Sequence, residues 1–165
     1  VVLDQFRKAL VGGGGFNAQN YQQAAAYCVA KNINMDEALK WIDHSISIQQ
    51  NGANLLTKSQ LLEKLGKKNE AVELAKKAFD IATEAEMNIY GYVLMLQLND
   101  VDRAIEVFKM NVDKHPDSWN VYDSLAEAFS KKGNKEDAIK YYNIALAKSP
   151  DSQKERISKA IQELK

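Results

Sequence analysis

The chain has 165 residues, 45% of them hydrophobic and 27% charged, the balance of a folded protein and not of a disordered one. Twenty-two basic residues offset 22 acidic ones, so no net charge draws it to nucleic acid or to an anionic membrane, and no long Lys/Arg run supplies a local substitute. The single cysteine, Cys28, excludes an internal disulfide and a cysteine-rich zinc site, and no apolar run approaches the roughly 18–20 residues that span a bilayer.

The sequence opens VVLDQFRKALV, which places Leu3, Phe6 and Leu10 on one helical face. Asp4, Arg7 and Lys8 make it a poor signal-peptide core. Because the chain starts at Val1 and not at Met, it is expected to be a piece of something longer, with any targeting segment outside it. Residues 1–18 are read as an N-terminal segment that either folds back as a cap or is the remnant of a preceding domain. The run Gly12–Gly15 leads into Phe16-Asn17-Ala18, without the Gly-Lys-Ser/Thr of a phosphate loop, and is expected to be a flexible joint.

From residue 19 the chain repeats itself. MDEALKWI, KNEAVELA, VDRAIEVF and KEDAIKYY align on Ala38, Ala71, Ala104 and Ala138, spaced 33, 33 and 34 residues apart. This defines four repeats at 19–51, 52–84, 85–118 and 119–152. Each holds two helical patterns around a short turn. In the fourth, Tyr122, Leu125, Ala126 and Phe129 form one stripe and Ala138, Tyr141, Tyr142 and Ala145 a second, with Gly133 between them and Pro150 after. The turn position is Gly66 in the second repeat and Asn99 in the third. In the first it is Ile33 between Asn32 and Asn34, so that turn must be built differently. Residues 153–165 carry Ile157, Ala160, Ile161 and Leu164 on one stripe and are expected to be a capping helix over the last repeat. Strand-like alternation is absent, so the fold class expected is all-α.

Tyr122-x2-Leu125-Ala126-x2-Phe129, Ala138-x3-Tyr142-x2-Ala145 and Pro150 together resemble the tetratricopeptide repeat, with more degenerate copies upstream. The resemblance implies a right-handed α-α superhelix, a solenoid of about four helix pairs, in which the first helix of each pair lines the concave side. A second resemblance, in YQQAAAYC and EALKWIDHSI, is to the helical C-terminal region of exported bacterial proteins whose repeats follow a β-rich domain of unknown function. It implies an exported or periplasmic location.

The concave register selects Gln23 and Tyr27 from the first repeat, Leu56 and Gln60 from the second, Ile89, Tyr90 and Val93 from the third, and Asp123 and Glu127 from the fourth. Amides can bond a peptide backbone, tyrosines offer rigid contact area, and exposed apolar residues suit a partner. Some proteins of this family grip acidic chaperone tails with Lys, Asn and Arg at these places. The cations are missing here and Glu86 would repel a carboxylate. His44 and His115 lack partners at metal spacing, and Cys28 lacks neighbours that would activate it. No catalytic residue, metal ligand or cofactor is assigned. The expected function is a non-enzymatic module binding a protein or peptide on its concave face, with no nucleic acid and no membrane insertion. The alternative is an intramolecular scaffold appended to its own N-terminal domain.

Overall fold

A computed structural model describes residues 2–165. Among them the chain is all-helical: α1 (Val2–Val11), α2 (Ala18–Lys31), α3 (Met35–Ile48), α4 (Gly52–Lys64), α5 (Lys68–Phe79), α6 (Glu84–Tyr92), α7 (Val101–Lys114), α8 (Trp119–Lys132), α9 (Lys135–Lys148) and α10 (Asp151–Leu164). A π-helical segment, Val93–Gln97, continues α6. The chain divides into two compact units, Val1–Thr83 and Glu84–Lys165.

The pairing rests on small residues. Ala38, Ala71, Ala104 and Ala138, the four that set the register, are all 0% exposed. A methyl side chain there lets the backbones of a pair approach, and larger side chains fill the space around it. In the N-terminal unit Ala25, Cys28, Val29, Ala38, Ile42 and Leu61 form one core cluster. In the C-terminal unit α10 closes the end by placing Ile157 and Ile161 against Ala126, Tyr142 and Ala145.

Caps and turns obey local chemistry. Asn17 accepts from the Gln19 N–H, Asn51 and Asn54 form a reciprocal capping box, and Asp100 and Asn134 cap α7 and α9. Ser118 stands at the start of α8, but its hydroxyl donates to Glu84 Oε1 at 2.8 Å instead of capping the helix. Gly66 and Gly133 take positive φ between the helices of their pairs, and Asn99 does so at φ 50°. In the first repeat the left-handed residue is Asn32, not Ile33, and Asn34 is left-handed as well. Two asparagines, tolerant of that region, replace one glycine.

The glycine run is folded into a turn. Gly13–Phe16 form a 3-10 turn, and a Cβ on Gly15 would collide with the Leu10 carbonyl oxygen. Helix α1 is therefore held close. Leu3 packs on the N-terminal core, and Arg7 donates to both oxygens of Glu37, Nε to Oε1 at 2.9 Å and Nη2 to Oε2 at 2.7 Å.

The third repeat departs from the others in length. Helices α2, α4 and α8 each begin 14 residues before their left-handed residue, whereas α6 begins 15 before Asn99. The extra residue is absorbed by the π-helical segment. Turns after α2, α4 and α8 close with bonds spanning five residues (Ile33 N–H to Cys28, Lys67 to Leu62, Asn134 to Phe129), while Asp100 reaches back six, to Leu94. The same repeat has Gly91 where the pattern asks for Leu. Phe108 takes that space: a Cβ on Gly91 would lie 2.6 Å from its Cζ. Restoring the pattern with Gly91→Leu is expected to destabilise the protein by about 1–3 kcal/mol through overpacking. In a denaturant-melt double-mutant cycle, Phe108→Ala should cost less in the Gly91→Leu background than alone. Strict additivity would show that the two sites do not share space.

Candidate partner-binding surface

First helices are gripped on more than one side, and this decides which register positions are open. Helix α4 packs against α2, α3 and α5, and eight of its thirteen residues are buried. Leu56, expected on an exposed strip, is one of them at 3% exposure, beside Thr57, whose hydroxyl accepts from Gln22 Nε2 at 2.9 Å. Gln60 is half-buried, whereas Gln23 is exposed. Tyr27 is half-covered by the chain's own N-terminal helix, with the Phe6 ring 5.7 Å from its centroid.

In the C-terminal unit the same register gives three outcomes. Ile89 is 62% exposed, and Val93 is partly exposed one turn on. Tyr90, expected beside them, is 2% exposed and is core, because α6 packs on both α7 and α8 and Tyr90 follows Ile89 around the helix into that contact. Asp123 is also buried, at 7%, and Ser124 at 1%. A residue 33 positions away meets the Asp123 carboxylate: Arg156 of α10 reaches across and donates from Nη2 to Asp123 Oδ2 at 2.8 Å. Glu127 is exposed and accepts from the Tyr92 hydroxyl at 2.7 Å. Residues 89, 93, 123 and 127 occupy equivalent places in their repeats, and Tyr92 ties α6 to α8 between them. Its oxygen lies 3.4 Å from Ser124 Oγ, whose hydroxyl can donate to it.

Sequence reasoning misses two contributors. Leu96, 61% exposed, extends the apolar strip into the π-helical segment, where the ordinary helical register no longer applies. Arg156 looks in the sequence like one more charge off the apolar stripe of a capping helix. Its reach to Asp123 depends on how α10 packs, which no local pattern encodes.

Electrostatics on this face derive from burial. Desolvation pushes the Asp123 carboxyl above its ordinary range, against the opposing hydrogen bond and charge of Arg156. Burial also raises Tyr92, and pushes Tyr142 up to about 12, with Asp123 and Glu127 adding to both. Cys28 is likewise raised by burial, as befits a packed thiol. Among the described residues no helix is long and apolar enough to cross a membrane.

These features define an all-α helical-repeat protein built of close-packed antiparallel pairs. Residues 54–84 and 121–155 each match the tetratricopeptide repeat family. The chain therefore carries tetratricopeptide repeats at these two stretches. Solved structures agree on the fold. YrrB, described as a TPR protein with an unusual peptide-binding site, is 20% identical with a TM-score of 0.54, over 96% of this chain and 81% of that one. MamA from Desulfovibrio magneticus RS-1 is 19% identical with a TM-score of 0.55, over 89% of this chain and 82% of that one. The C-terminal part of a TPR repeat-containing protein from Cytophaga hutchinsonii is 17% identical with a TM-score of 0.58, over 98% of this chain and 65% of that one. No curated protein matches the chain.

The Asp123–Arg156 pair yields a prediction. A carboxyl whose folded pKa is raised favours the protonated native state, so its contribution to stability falls as pH rises from the ordinary carboxylate range to the folded pKa. Arg156→Ala removes the group that holds this pKa down and should move the Asp123 titration to higher pH, read by carboxylate-detected NMR. The stability lost should be greatest at neutral pH and least in acid. An unchanged titration would mean the ion pair is not formed in solution.

Proposed function

We propose that this chain captures a protein or peptide segment on the first-helix faces of its C-terminal unit. Tetratricopeptide repeats serve in general as interaction modules without chemistry of their own. The observation that carries the finer reading is the strip Ile89, Val93 and Leu96, in which two large aliphatic side chains are more than 60% exposed on a single helical run. Such a strip costs free energy in water and repays it on burial, at about 1.5–3 kcal/mol for each fully covered side chain. The peptide-binding site named for YrrB supports a ligand of that type.

A second reading is favoured in the N-terminal unit alone. There α1 covers Tyr27 through Phe6 and is fastened by the Arg7–Glu37 fork. That part of the surface is engaged by its own chain and serves as scaffold.

Selection from a random peptide library displayed on phage tests the main reading. The wild-type chain should enrich binders. Ile89→Asp and Leu96→Asp should each weaken them about tenfold or more in Kd, with circular dichroism and Tm unchanged because neither side chain is core. Tyr90→Ala is no substitute, since it would empty a buried site and lower stability by about 3–5 kcal/mol. Failure to enrich any peptide, or binders indifferent to both aspartates, would overturn the reading.

A further inference from the structure

The chemistry around the apolar strip specifies more than hydrophobicity. Glu127 sits at the fourth repeat's counterpart of Val93, and Asp123 at that of Ile89. Tyr92, the residue before Val93, donates to Glu127 Oε2 at 2.7 Å, so this carboxylate lies at the edge of the strip. A hydroxyl donor orients Glu127 but leaves its charge in place. Asp123, one turn away on α8, has a side chain 10% exposed, and its Oδ1 has no hydrogen-bond partner.

The fold itself shows which group this face accepts. Arg156 comes from α10, remains 51% exposed at its side chain, and still delivers its guanidinium to Asp123 at 2.8 Å. Arg156 is engaged by Asp123, while the Glu127 carboxylate has the Tyr92 hydroxyl as its partner and keeps its negative charge. A segment covering Ile89 and Val93 would also remove water from Glu127. An acidic segment would add repulsion to that desolvation, and a purely apolar one would leave a carboxylate shielded with only a tyrosine hydroxyl as partner. A lysine or arginine next to the apolar anchor compensates Glu127 directly.

We propose that the segment bound by the C-terminal unit is a basic–apolar one: large aliphatic or aromatic side chains on Ile89, Val93 and Leu96, and a neighbouring Lys or Arg paired with Glu127 at the foot of Tyr92. This rests on the docking reading of the same strip and adds the charge of the partner. Glu127 is the selectivity residue and the strip provides the affinity.

The same random library provides the probe, compared between wild type, Glu127→Gln and Ile89→Asp. Wild-type binders should be rich in Lys or Arg adjacent to large apolar residues and poor in Asp and Glu. One such peptide, synthesised with its basic residue as Lys, Gln or Glu, should lose about three- to tenfold in affinity from Lys to Gln and more to Glu. Glu127→Gln should erase the Lys-to-Gln difference while retaining binding of the Gln peptide, and added salt should weaken only the Lys peptide appreciably. Binders without a basic bias, or a bias that survives Glu127→Gln, would overturn this proposal and leave the docking reading intact. No binders at all would instead remove the docking reading on which it stands.

Discussion

Everything in this chain depends on the close approach of two helix backbones at four buried alanines. Ala38, Ala71, Ala104 and Ala138 recur every 33 or 34 residues and are wholly inaccessible. A helix pair held this way presents two apolar faces and cannot bury both by itself. Stacking neighbours covers one, and an end helix such as α10 covers the other. The periodicity of the sequence and the need for a cap are thus consequences of one steric requirement.

That requirement also explains the third repeat, where the pattern is weakest. Gly91 replaces a leucine, Tyr92 stands where a small residue is wanted, and α6 carries one residue too many. The fold accommodates all three at one place. Phe108 enters the space left at Gly91, and Tyr92 stacks edge-on to it at 5.4 Å while turning its hydroxyl toward α8. The π-helical segment takes up the added residue. The irregular repeat is therefore the one that carries the exposed apolar strip and the tyrosine linking it to Glu127. A register broken where packing alone would have preserved it is the kind of local inconsistency expected at a functional surface.

The candidate surface was only partly legible because exposure is a property of neighbours. Leu56, Ile89 and Asp123 hold one register position. The first is buried in a helix flanked by α2, α3 and α5, the second is open, and the third is buried and paired with Arg156. Helical periodicity identifies the face a residue points from but not what arrives over it. Tyr27 shows the same limit, since the partner that half-covers it is Phe6, from a segment that the glycine run alone would leave loosely joined.

By itself the sequence determined the helical class, the number of pairs and the repeat register, because these rest on local periodicity and on small residues at fixed intervals. Its balanced charge supplies no net attraction to nucleic acid or to an anionic surface. The tertiary structure alone decided which first-helix positions remain in water, that α1 is packed down onto the first repeat, and that a cation from α10 engages Asp123. Those outcomes arise from contacts between residues some 20 to 35 positions apart, where side-chain reach and helix placement, not periodicity, fix what meets.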